Sequence, residues 1–119
     1  MSPLAEATYT ILRQRLRLAP ADPRITYAEL AKQLRDSCED FESVNHRSRS
    51  LYAALGEVGE ACRLLGRPPL PALVVLAGSG RPGAAYYAAR FPGIVYKGER
   101  VAAWRRDLEA VKRTTYPPP

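Results

Sequence analysis

Apolar residues recur at steps of three and four along most of this chain, and the pattern predicts four helices. From Leu4 to Leu18, Ala5, Tyr9, Leu12 and Leu16 share one side, while Arg13, Arg15 and Arg17 are dispersed around the others. This is an amphipathic brace closed by Pro20 and Pro23. Arg24 to Thr26 reads as a short extended lead-in. Thr26 and Glu29 have the spacing of a capping box, in which the hydroxyl takes the Glu29 amide and the carboxylate reaches back to the Thr26 amide. A second helix therefore starts at Tyr27 and runs to about Arg35. After a polar loop to Asn45, residues 46 to 66 place Leu51, Leu55, Val58, Cys62 and Leu65 on one stripe, which Gly66 and Pro68 end. The first turn of that third helix carries His46, Arg47, Ser48, Arg49 and Ser50.

The pattern then changes. Pro68, Pro69 and Pro71 introduce ALVVLA at 72–77, a continuous apolar run of strand length with β-branched content. GSGRPG at 78–83 is a turn, and Ala84 to Tyr87 fits either a returning strand or a short helix. GIVY at 93–96 reads as another short extended piece. A last helix, from Gly98 or Glu99 to Arg113, gathers Val101, Trp104, Leu108 and Val111 on one face. Tyr116 and the prolines after it are expected to form a disordered tail, which leaves residues 1–115 as a single domain. A helix pair followed by a hairpin defines the expected fold class. It is α+β, a small winged-helix-like domain made of a helix-turn-helix and a short β-hairpin, with additional N- and C-terminal helices.

The charge gives this fold a direction. The chain has 119 residues, 18 Lys and Arg, 12 Asp and Glu and a net charge of +6. Asp36, Glu39, Asp40 and Glu42 lie close together, so the rest of the surface is more basic than the total indicates. Such a balance favours a polyanionic partner, because each cation near a phosphate displaces condensed counterions. No signal peptide and no apolar run near the length of a bilayer span is present, and only Cys38 and Cys62 carry thiols. The expectation is a cytoplasmic protein with reduced cysteines and no membrane partner.

In a winged helix the basic N-terminus of the second helix reaches DNA. Arg47, Ser48, Arg49 and Ser50 can all donate to phosphate there, aided by the helix dipole. The plainer reading of the same residues is a solvated, solubilising helix end. Arg81, at the tip of GSGRPG, suits a groove or backbone contact, and Arg13, Arg17, Arg105 and Arg106 are more distant candidates. Tyr27, Tyr52, Tyr86 and Tyr87 interleave with the bases, and Tyr27 is the one placed beside the expected contact surface.

Other chemistry finds little support. GSGRPG matches a G-x-G-x-x-G pattern, but the remaining chain cannot supply the parallel sheet of a dinucleotide fold, and no Gly-Lys-Ser/Thr follows as in a P-loop. His46 is the only histidine, Cys62 sits in an apolar stripe, and the spacing of Cys38, His46 and Cys62 lacks a zinc knuckle. Glu57 and Glu60 read as solvated charges. No cofactor, metal or catalytic residue is expected.

With those residues in view, the segment from Ile25 to Tyr87 resembles the DNA-binding domain of the alkylguanine alkyltransferases and their non-enzymatic alkyltransferase-like relatives. ITYAELA, SRSLYAAL and PLPALVV followed by a Gly turn and Tyr carry the similarity. The resemblance implies that Tyr27 presses on a phosphate and that Arg49 enters the base stack when a nucleotide is flipped. The family's Pro-Cys-His-Arg motif is replaced by Leu76, Ala77, Gly78 and Ser79, so alkyl transfer is excluded on this alignment. TYAELA, LGEVGEACRLLGRPPLPALVV and GSGRPG also resemble an uncharacterised bacterial domain family found in proteins linked to restriction and HNH nucleases. That similarity implies target binding beside a nuclease or other defence protein, while a single histidine cannot build an HNH site. The expected function is non-catalytic duplex DNA binding in restriction, defence or repair. The alternative is a protein-interaction module, an inhibitor or adaptor that uses the acidic loop.

Overall fold

Ser2 opens the first helix by accepting the Ala5 amide on its hydroxyl at 3.2 Å, and Pro3 takes a first-turn position where a missing N–H costs nothing. In the computed structural model, which describes Met1–Pro119, α1 runs Pro3–Leu18 and buries Ala5, Thr8, Tyr9 and Leu12. It packs against both helices that follow, as a brace would.

The strand β1 is Ile25–Thr26, and α2, Tyr27–Ser37, begins at the next residue. The Thr26 hydroxyl accepts the Glu29 amide at 3.0 Å, as the capping box requires. The Glu29 carboxylate differs from expectation, because it takes the proton of the Thr26 hydroxyl at 3.1 Å. The connector to the third helix is not a tight turn. It contains a 3-10 turn at Glu39–Phe41, and Arg35 clamps its far end by donating to the Val44 carbonyl at 2.7 Å.

Helix α3 is Arg49–Leu64, with Leu51, Ala54, Leu55, Val58 and Cys62 buried. This corrects the expected first turn, since His46 and Arg47 precede the helix and Ser48 is its cap residue. Leu65 also leaves the predicted stripe and is exposed. The chain reverses at Gly66, φ +66°, where the Arg67 amide bonds the Cys62 carbonyl and the Gly66 amide bonds the Arg63 carbonyl, each at 2.9 Å. Those two bonds make a Schellman ending.

The expected β-hairpin is absent. Residues 70–73 form a 3-10 turn, and only Val74–Val75 is a strand, β2. It pairs in parallel with β1, Ile25 opposite Val74 and Thr26 opposite Val75. The ladder stays short because Tyr27 is already helical after β1 and Leu73 still belongs to the 3-10 turn before β2. Ala84–Arg90 is a helix, α4, and burial of Tyr86 and Tyr87 gives it an inner face. GIVY forms no strand: the Ile94 amide closes a turn on the Phe91 carbonyl at 3.0 Å, and Val95 and Tyr96 are exposed. Helix α5, Lys97–Lys112, buries Val101, Ala103, Trp104, Leu108 and Val111, and the Trp104 indole donates to the Ala72 carbonyl at 2.8 Å.

The tail also differs from expectation. Tyr116 is 2% exposed, and its hydroxyl donates to the Pro68 carbonyl at 2.5 Å. Arg13 bonds the Tyr116 carbonyl at 2.7 Å and the Tyr9 hydroxyl bonds the Pro117 carbonyl at 2.7 Å. The end of the chain is thus fastened to α1 and to the Pro-rich segment after α3. The result is an α+β fold, mostly helical, whose core cluster draws on all five helices.

Candidate nucleic-acid interface

The cations divide by what already holds them. Arg24, Lys32, Arg63, Arg90 and Lys112 pair with carboxylates. Arg13, Arg15, Arg35, Arg67 and Arg100 donate to backbone carbonyls. Arg47, Arg49 and Arg81 have no such partner, nor do Arg17, Lys97, Arg105, Arg106 and Arg113. Those side chains are free to meet a phosphate. Of the more distant candidates, Arg13 is therefore already committed to the tail.

Just before α3 the backbone is folded into a fixed shape. The Arg47 amide donates to the Asn45 side-chain oxygen at 2.8 Å, and the Asn45 amide donates to the Ser48 hydroxyl oxygen at 2.9 Å. Such side-chain turns pre-set the backbone before a helix. Arg47, Arg49 and Ser50 project from it exposed, while Ser48 is half-buried with its oxygen occupied and its proton available. Tyr52, one turn into α3, donates to the His46 carbonyl at 3.2 Å and holds that segment down.

Tyr27 is not at the surface. It is 6% exposed, its ring lies 5.6 Å from that of Tyr52, and its hydroxyl accepts the Gly83 amide at 3.1 Å. Burial holds its phenol protonated above the ordinary range, against the lowering effect of the Gly83 amide. Its place is structural: it joins the start of α3, through Tyr52, to the loop that carries Arg81. That loop closes on itself, with the Leu76 amide on the Arg81 carbonyl and the Gly80 amide on the Leu76 carbonyl, both at 2.8 Å. Arg81 is half-buried on it.

Beside this surface runs a groove of about 520 Å³ between α3, α4 and α5. Tyr27, Tyr52 and Tyr86 wall it, and Gly56 and Gly59 leave α3 without side chains there. At its far side Asp107 accepts the Tyr86 hydroxyl and two bonds from Arg90 at 2.9 and 2.8 Å. Burial, then the Asp107 carboxylate, pushes the Tyr86 phenol far up. Glu60 and Arg63 pair one turn apart along the α3 wall. The sequence carried a signal for this groove in the spacing of Gly56 and Gly59, away from the apolar stripe, but none for the Tyr86, Asp107 and Arg90 cluster.

The remaining chemistry-bearing residues are apart. The Cys62 thiol is in the core and burial pushes it up, Cys38 caps α2, and His46 lies in the exposed turn. No three His, Cys, Asp or Glu side chains converge as metal ligands. Glu57 is not merely solvated: it accepts the Ser2 amide at 3.0 Å and hydroxyl at 2.7 Å, which holds its carboxyl below the usual range. No helix is long and apolar enough to cross a membrane. Comparison with protein-family models, with curated proteins and with solved structures finds no match.

Proposed function

We propose that this protein binds duplex DNA without catalysing a reaction. The observation that carries the reading is the set of unengaged donors at the start of α3, Arg47, Arg49 and Ser50, on a backbone turn held by side-chain hydrogen bonds of Asn45 and Ser48. Unengaged guanidiniums at a helix N-terminus meet phosphate without losing internal partners. In this reading the fold is a winged-helix variant whose wing is the Arg81 loop and α4. The resemblance to alkyltransferase-like proteins points the same way, and it adds a use for the adjoining groove. Its volume and tyrosine walls suit a base turned out of the stack. A cytoplasmic partner in restriction, defence or repair fits this role.

The test is titration of a labelled duplex by fluorescence anisotropy at several salt concentrations, with Arg49→Ala and Arg113→Ala beside the wild type. A steep salt dependence and a marked loss in Arg49→Ala alone are expected. No binding even at low salt rejects the proposal.

A second reading rests on Glu39, Asp40 and Glu42, which are exposed and enter no ion pair. They offer an unneutralised surface to a basic protein, such as a nuclease. In that case the protein captures such a partner and ignores DNA.

A further inference from the structure

A separate cleft of about 400 Å³ lies between the Arg81 loop and α5. Arg24, Arg81 and Arg105 line it together with Ser79, Trp104 and Glu109. Two of the guanidiniums are uncompensated. Asp22 binds Arg24 at 2.8 Å and its carboxyl is held at about 2 by that bond, so Arg24 is neutralised in place. Arg24 also donates to the Gly80 carbonyl at 3.3 Å, which fixes the loop against it. Glu109, the one carboxylate on the lining, pairs with Lys112 at 3.3 Å. Arg81 and Arg105 face the same space with no acceptor.

We infer that this cleft binds a phosphate group. Cations that line one cleft sum their positive potential there and draw in an anion. The donors are guanidinium forks and a serine hydroxyl. That set matches the several oxygens of a phosphate better than the two of a carboxylate. A nucleic-acid backbone and a free phosphoryl compound share this chemistry. The backbone is the favoured source, because Arg81 stands on the loop that Tyr27 ties to α3. That preference rests on the duplex reading, whereas the cleft does not. A duplex held by Arg47 and Arg49 at one end would then be gripped a second time here.

Trp104 is the only tryptophan in the chain, so its emission reports occupancy of the cleft. The whole protein is titrated with sodium pyrophosphate and, separately, with a short duplex, as wild type, as Arg81→Gln/Arg105→Gln and as Arg49→Ala. The expected result is a saturable change in emission whose affinity falls about tenfold or more in the double variant, the effect of losing charge-assisted hydrogen bonds. With pyrophosphate, Arg49→Ala behaves as wild type. With duplex, the double variant also lowers the salt slope by about two. A pyrophosphate response without duplex binding keeps the cleft, assigns it to a free phosphoryl compound and sinks the duplex reading alone. Duplex binding that needs Arg49, with no Trp104 response to either probe and an unchanged slope in the double variant, overturns the cleft and leaves the duplex reading standing. No Trp104 response to either probe, together with no duplex binding by anisotropy, overturns both.

Discussion

The hydroxyl of Tyr27 accepts the Gly83 amide at 3.1 Å, so the first residue of α2 holds the cap of α4 from 56 positions away. Tyr27→Phe keeps the ring against Tyr52 and leaves that amide without its partner. A loss of about 1 kcal/mol in urea unfolding is expected. In the duplex reading, affinity should fall as well, since the Arg81 loop ends at Gly83. Unchanged stability would mean that the bond contributes nothing.

Gly80 has φ +68°, and a Cβ there would stand 3.2 Å from the Arg24 guanidinium. Gly80→Ala is expected to cost about 1 kcal/mol or more, from backbone strain before any contact is counted. Gly78→Ala meets open space and an ordinary φ, and should be nearly silent. Equal thermal midpoints for the two variants would remove the case for a strained turn.

Tyr116 fixes the end of the chain. Tyr116→Ala empties a buried aromatic site and is expected to cost about 3 kcal/mol, while Tyr116→Phe, which loses only the bond to Pro68, costs about 1 kcal/mol. Removal of Pro118 and Pro119, both exposed, should leave the denaturation midpoint where it was.

What the sequence revealed here depended on range. Thr26 with Glu29, and Leu51 through Cys62, are signals read within one helix, and the helices they predict are present. ALVVLA misled because β-propensity cannot see the partner strand, which has only two residues before the helix that starts at Tyr27. Ala84–Tyr87 was ambiguous at its length, and its helix is decided by burial of Tyr86 and Tyr87. The tail read as disordered because its anchors, Tyr9, Arg13 and Pro68, are distant in sequence. At the interface the free arginines were visible as composition. That Arg13 and Arg90 are already engaged, and that Arg24 shares a cleft with Arg81 and Arg105, needed coordinates.

The tyrosines set the alkaline limit. Burial raises the phenols of Tyr27, Tyr86 and Tyr116, so the folded protein keeps protons that the unfolded chain releases near pH about 10. Above that value the unfolded state binds fewer protons, and stability, complete below it, declines as pH rises. Tyr86→Phe should make the decline shallower. Urea unfolding at intervals from pH about 8 to about 11 checks this, and a flat profile contradicts it.

Glu39, Asp40 and Glu42 lie in the connector that leads to Arg47. In the duplex reading they repel phosphate, so neutralising all three as Gln, Asn and Gln should tighten duplex binding severalfold at low salt and less at high salt. Weaker binding would place these acids in the contact and count against that reading.

The two-rung ladder between Ile25–Thr26 and Val74–Val75 has a bearing on how the molecule assembles. Its strands are joined through α2 and α3, so closing it brings together distant parts of the chain in exchange for very few bonds, an ordering cost that docked helices must first offset. The helices α1 to α3 are therefore the expected folding nucleus, with the ladder, the Arg81 loop and α4 condensing on them afterwards. Substitutions at Leu12 or Val58 would slow folding, whereas substitutions at Val75 or Tyr86 would chiefly hasten unfolding. In the duplex reading the two halves of the contact surface then differ in age, since the start of α3 is set early and the Arg81 loop, completed last, opens first when the protein begins to come apart.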